Sequence, residues 1–212
     1  MTPIARTVGL TGIFISIVLG MFVYSVLRTP QLSDEQMREQ GVFLLPRPRD
    51  LAPFELQDQD GMAFDNQRLL DRWTFIFFGF THCPDVCPTT MSVLGQVDRQ
   101  LQDQGGVLAD AFQVVLVTVD PERDTAEELG SYAAAFSPRF IGVRGDKAAT
   151  GDFAKQVNAA FGKVPTPDGS YSMDHTANIV IINPRGHYHG FIKLPHRVET
   201  IRLAYQTLAA RF

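Results

Sequence analysis

Cysteine is scarce in these 212 residues: there are two, Cys83 and Cys87. A disulfide-stapled mini-protein is therefore excluded, as is a zinc site built from four cysteines. An excess of positive charge is also lacking. Lys and Arg number 19 against 23 Asp and Glu, a formal net charge of −4, so the basic footprint of a nucleic-acid binder is not expected. Internal repeats and low-complexity tracts are missing as well. Charge disappears altogether from one stretch, the 20 residues Val8–Leu27 between Arg6 and Arg28. At roughly 1.5 Å per helical residue, such a run reaches about 30 Å, the hydrocarbon thickness of a bilayer. A cleaved signal peptide has a shorter apolar core and a small-residue cleavage site, and Ser25-Val26-Leu27-Arg28-Thr29-Pro30 is a poor one.

The reading is one transmembrane helix over residues 8–27 behind a short cytoplasmic tail, residues 1–7. Flanking charge barely decides its orientation. An export-type anchor translocates the large domain, so a single pass through the cell inner membrane with the domain facing the periplasm is expected. Residues 28–50, polar early and proline-rich late, read as a linker with a short helix near Asp34–Gln40. Residues 51–212 read as one domain, and 45% hydrophobic residues in the chain allow it a real core.

Within that domain strands and helices alternate. Phe54–Gln57 and Met62–Phe64 flank Asp58-Gln59-Asp60-Gly61, a hairpin pattern. Thr74–Phe80 and Phe112–Val119 are apolar runs suited to buried strands. Helices are expected over Met91–Leu101, Thr125–Phe136, Ala148–Phe161 and Arg197–Arg211, and a Pro/Gly loop over Val164–Gly169. Short strands are expected at Phe140–Val143, Asn178–Ile182 and Tyr188–Lys193, the last two joined by Asn183-Pro184-Arg185-Gly186. This order predicts an α/β, thioredoxin-like fold with an N-terminal β-hairpin and an inserted helix.

The two cysteines stand in Cys83-Pro84-Asp85-Val86-Cys87-Pro88, directly after a buried strand and before a helix. Ligands collect at such strand ends in open sheets. Pro88 confines the helix start to its own first turn, which puts Cys83 in the loop and Cys87 at the helix mouth, where N–H groups favour thiolates. Spacing of four sets both sulfurs on one side. That suits a disulfide or a clamp for a soft metal ion. Two thiolates leave a clamp incomplete. His175, in Met173-Asp174-His175-Thr176 before a strand, is the best-placed third ligand among five histidines. A Cys2His set suits Cu+ and also holds Cu2+ or Zn2+; an exported compartment favours copper. His82 is expected to point away, His187 and His189 to share a strand face, and His196 to be a surface residue. Asp120, at the end of the second buried strand, either orients a ligand or pairs locally with Arg123. Asp124 and Thr125 read as a helix start.

Phe78-Gly79-Phe80-Thr81-His82-Cys83-Pro84-Asp85-Val86-Cys87-Pro88-Thr89-Thr90 resembles the signature of the Sco/SenC family. Val119-Asp120-Pro121-Glu122-Arg123-Asp124-Thr125 and Asp174-His175-Thr176 resemble its second and third motifs. The resemblance implies a membrane-anchored copper chaperone of cytochrome c oxidase assembly, acting on the CuA site of subunit II. It implies Cys83, Cys87 and His175 as copper ligands (Cu+, Cu2+ or both) and a supporting role for Asp120. A further periplasmic copper chaperone and a thiol reductase are the other expected partners. The alternative is a thiol-disulfide oxidoreductase or copper-linked redox sensor that uses Cys83 and Cys87 as a redox pair.

Overall fold

A computed structural model describes residues 3–27, 31–167 and 169–212, without the side chains of residues 5–8 and 24–27. The chain divides into two compact units, Met1–Gln31 and Leu32–Phe212. The first is built on helix α1, Pro3–Leu27, whose apolar side chains Leu10, Phe14, Ile17 and Phe22 are exposed. Among the described residues no helix is long and apolar enough to cross a membrane. Of the expected linker, residues 28–30 lie outside the described residues.

The second unit begins earlier than expected. Ser33 and Gln36 form a reciprocal capping box at the start of α2, Asp34–Glu39. Strand β1, Val42–Arg49, then pairs antiparallel with β10, Tyr188–Ile192. Leu32, Met37 and Val42 are buried in the core. The linker reading is thus corrected from residue 32 onwards. Prolines at an outer strand cost no ladder bond if their missing N–H faces away from the sheet, so Pro46 and Pro48 did not preclude β1.

The hairpin forms as expected, from β2, Glu55–Asp58, and β3, Ala63–Asp65. The centre of the sheet is β4, Trp73–Gly79, parallel to β5, Phe112–Thr118, which is parallel to β6, Ile141–Arg144. Every residue of β4 and β5 is buried, which requires cover on both faces. β9, Ile179–Ile182, runs antiparallel to β4. The eight-stranded order is β1-β10-β9-β4-β5-β6-β2-β3. Around it stand α3, Val86–Gln104; the short α4, Val107–Ala111; α5, Ala126–Ala134; α6, Lys147–Gln156; and α7, Val198–Arg211. Thr125 caps α5 through a capping box with Glu128, as its sequence implied.

A hairpin was missed as well. The helix expected to reach Phe161 ends at Gln156, and Phe161–Pro165 is strand β7, paired antiparallel with β8, Tyr171–His175. This hairpin is a separate two-stranded sheet. It occupies the expected Pro/Gly loop and carries His175 as its last residue.

Candidate metal centre

β4 ends at Gly79. A Cβ there would lie 3.2 Å from Cys87 Sγ and 3.1 Å from the Phe77 ring, so glycine leaves the space that the sulfur fills. The chain turns through the cysteine loop and enters α3 after Asp85. Pro88 falls in the first turn, where a missing N–H costs nothing. Cys83 is therefore a half-buried loop residue, and Cys87 is a fully buried residue of the first helical turn.

The two thiols differ. The Cys87 N–H donates to Cys83 Sγ at 3.4 Å, so the open helix end points at the outer sulfur. Burial, followed by a hydrogen bond with Cys83, pushes the Cys87 thiol well above its ordinary pKa. For Cys87 this corrects the expectation of a helix-favoured thiolate: desolvation outweighs the helix end.

His175 meets Cys87 from the other side, with Nε2 3.5 Å from its Sγ. Nδ1 lies 3.3 Å from the Thr176 carbonyl oxygen. A carbonyl only accepts, so that contact places the ring proton on Nδ1 and leaves the Nε2 lone pair facing the sulfurs. Burial lowers the His175 pKa and keeps the ring neutral. Phe77 and Phe80 hold the imidazole edge-on at 5.7 and 6.0 Å. Ligand atoms of Cys83, Cys87 and His175 all lie within 4.8 Å of one another, the one group of three or more His, Cys, Asp or Glu so gathered among the described residues. Two sulfurs and a neutral imidazole form a soft donor set that fits Cu+, Cu2+ or Zn2+ and not the oxygen-seeking Mg2+ or Ca2+.

The remaining candidates separate. His82 faces Thr81 Oγ1 at 2.9 Å and Asp124 at 3.6 Å, away from the group. His187 pairs with Asp50, whereas His189 packs against Trp73 and Asn183. His196 departs from the surface expectation: it is half-buried, 3.0 Å from Thr90 Oγ1, with its ring edge-on to Phe77. Asp120 is buried, but it is bonded to Arg123 Nε and to the Tyr171 hydroxyl at 3.0 Å. Among the described residues no hydrogen bond joins it to the three donors. The aspartate beside the cysteine loop is Asp124. Fully buried, it accepts from Thr81 N–H at 3.1 Å and from the hydroxyls of Thr81 and Thr118, both at 2.5 Å. Its neighbour Thr125 caps a helix, and that local pattern hid this role. A cavity of about 880 Å³ adjoins Asp120, Arg144, Lys163 and Met173 and includes none of the three donors.

Scaffold and cluster together define a class: a thioredoxin-like α/β domain whose cysteine loop has acquired an imidazole partner from a separate hairpin. Comparison with known proteins gives that class a family. A family model described as SCO1/SenC matches residues 46–210, and the chain belongs to that family. A protein of Stutzerimonas stutzeri named for copper binding is 35% identical over 162 residues, 76% of this chain and 78% of that protein. The human mitochondrial protein SCO2 homolog is 36% identical over 134 residues, 63% of this chain and 50% of that protein; of that relative, the match spans half the length. Among solved structures, ScoI of Bradyrhizobium japonicum with copper bound is 36% identical with a TM-score of 0.66, covering 74% of this chain and 98% of that one.

Proposed function

We propose that the chain is a membrane-anchored copper carrier that holds one copper ion between Cys83, Cys87 and His175 and hands it to the CuA site of cytochrome c oxidase subunit II. The observation that carries this reading is the convergence of two sulfurs and one unprotonated nitrogen within 4.8 Å. Soft thiolates retain Cu+, and the imidazole extends the set to Cu2+. Cys83, half-buried at the rim, is the point at which an incoming thiolate or imidazole displaces the first ligand. The copper-bound ScoI of Bradyrhizobium japonicum lends support. Loading displaces the proton that burial keeps on Cys87. A Cys83–Cys87 disulfide has no thiolate to offer, so a thiol reductase must first supply two electrons and two protons. Another periplasmic copper chaperone then supplies the ion.

The oxidoreductase alternative uses the same cysteines but has no task for His175. The anchor reading rests on the uncharged run 8–27 of the sequence; the described part of α1 adds exposed apolar side chains but is not itself long and apolar enough to cross a membrane. On this reading the carrier sits in the inner membrane with its domain facing the periplasm.

The test is copper content and retention of the full chain in detergent, with thiol–disulfide exchange measured separately. Wild type should hold one Cu+. Cys83→Ser with Cys87→Ser should hold none, and His175→Ala should lose copper rapidly while thiol exchange persists. Unchanged copper retention in His175→Ala would remove the imidazole from the site and return the pair to redox chemistry. Alkaline extraction should leave the full chain in the membrane fraction, and release into the supernatant would end the anchor reading.

A further inference from the structure

The three donors come from two segments that share no sheet. Cys83 and Cys87 follow β4 of the large sheet, whereas His175 ends β8 of the isolated β7–β8 pair. Something must hold the two in register. Tyr171, Met173 and His175 alternate along β8 and so share one face. Tyr171 and His175 stand four steps apart along the strand, about 13 Å. At the Tyr171 end the hairpin is tied down. Its hydroxyl donates to Asp120 Oδ1 at 3.0 Å, and its carbonyl accepts from Arg123 Nη1 at 3.1 Å. The Arg123 guanidinium lies over the Tyr171 ring, 4.1 Å from its centre, and Arg123 Nε donates to Asp120. Lys163 of β7 pairs with Glu122 at 2.6 Å. Among the described residues, the hydrogen bonds and ion pairs from the side chains or carbonyls of 161–165 and 171–174 to the rest of the domain all reach residues 120–123. The next residue, Asp124, grips Thr81 at the start of the cysteine loop. One loop, 119–124, thus brackets both halves of the clamp.

We propose that Asp120, Arg123 and Tyr171 form a latch: positioning residues that seat His175 against the two sulfurs and so set how fast a bound copper ion leaves. This rests on the reading of His175 as a copper ligand. None of the three touches the ion. With the latch closed, the imidazole is presented at no further ordering cost. With it open, the β7–β8 pair keeps its apolar contacts, the exposed Lys163–Glu122 ion pair and the His175 contact itself, and the third ligand is lost first.

The experiment compares wild type, Tyr171→Phe, Arg123→Gln, Arg123→Lys and His175→Ala as full chains in detergent. Transfer of Cu+ to excess bicinchoninate gives the release rate. Hydrogen exchange of the metal-free protein gives the opening of the hairpin. Partners beyond the ligands typically change metal retention by about 10–100-fold, so Arg123→Gln should release copper about tenfold faster, with Tyr171→Phe between it and wild type. Amides of residues 161–165 and 171–175 should exchange faster in both variants, and those of β4 should not. Arg123→Lys keeps the charge near Asp120 and should recover part of the retention, which a variant that merely misfolded would not. In the His175→Ala background neither latch variant should speed release further. Release at the wild-type rate in both, or acceleration that persists without His175, overturns the latch. If His175→Ala itself retains copper like wild type, it is the ligand assignment that has failed, and the two failures are told apart.

Discussion

At the scale of single residues, the site turns on two aspartates four positions apart, of which the sequence singles out only one. Asp120 stands at a strand end and was the natural candidate to orient a ligand. Asp124 precedes a capping threonine and looked like part of a helix start. The structure ties Asp120 to Arg123 and Tyr171, and buries Asp124 among three donors from Thr81 and Thr118. Bonds to a charged group are worth more than neutral ones, and a truncated acceptor leaves its buried donors unpaired. Asp124→Ala should therefore cost about 3 kcal/mol, read as a lowered urea midpoint of the metal-free protein, and should loosen the cysteine loop, read as faster alkylation of Cys87. A midpoint within experimental error of wild type would show that Asp124 is dispensable. The three donors themselves were legible because each carries its own signal: a strand–cysteine–helix junction and a histidine before a strand. Asp124 carries none, because its acceptor role depends on Thr118 and Thr81, which only the parallel β4–β5 pairing brings beside it.

At the scale of elements, what the sequence reveals follows from how strongly each segment is patterned. β4 and β5 are continuous apolar runs and α5 has a complete capping box, so their positions are evident from local chemistry. β1 and β7–β8 lie outside that reach. β1 contains Pro46, Arg47, Pro48 and Arg49, a composition suited equally to an extended linker, and only its pairing with β10 makes it a strand. β7 is largely exposed and holds Gly162 and Pro165, which reads as loop. The consequence for β1 is measurable. Leu32, Met37 and Val42 are buried, and each buried aliphatic side chain contributes about 1.5–3 kcal/mol. A chain of residues 51–212 should be too weak to fold cooperatively, whereas residues 32–212 should give a single urea transition. Equal midpoints for the two would return residues 32–50 to the role of a linker. Gly190 makes the same point from β10, since a methyl group there would run into the Phe43 carbonyl oxygen of β1.

At the scale of the whole molecule, charge in the folded domain is distributed so that several imidazoles are kept neutral. Burial lowers the pKa of His189, which packs on Trp73. It does the same to His196, partly countered by the Ile192 carbonyl, and to His175 at the clamp. In the unfolded chain each ring takes a proton near its ordinary value of about 6.5, while in the folded domain it does so only at lower pH. Between those limits the unfolded chain binds more protons, so stability rises with pH. The contribution is therefore intact above about pH 6.5 and is lost as pH falls below it. For the metal-free protein, the urea midpoint should drop between about pH 7.5 and about pH 5.5, and His189→Gln should show a shallower drop than wild type. A slope unchanged in His189→Gln would mean that this ring titrates alike in both states and that its burial has no energetic consequence. Copper should oppose the loss wherever it is bound, because a ligand held only by the folded state adds its binding free energy to stability. The pH at which the loaded protein begins to unfold should accordingly lie below that of the metal-free protein, and the gap should close in His175→Ala.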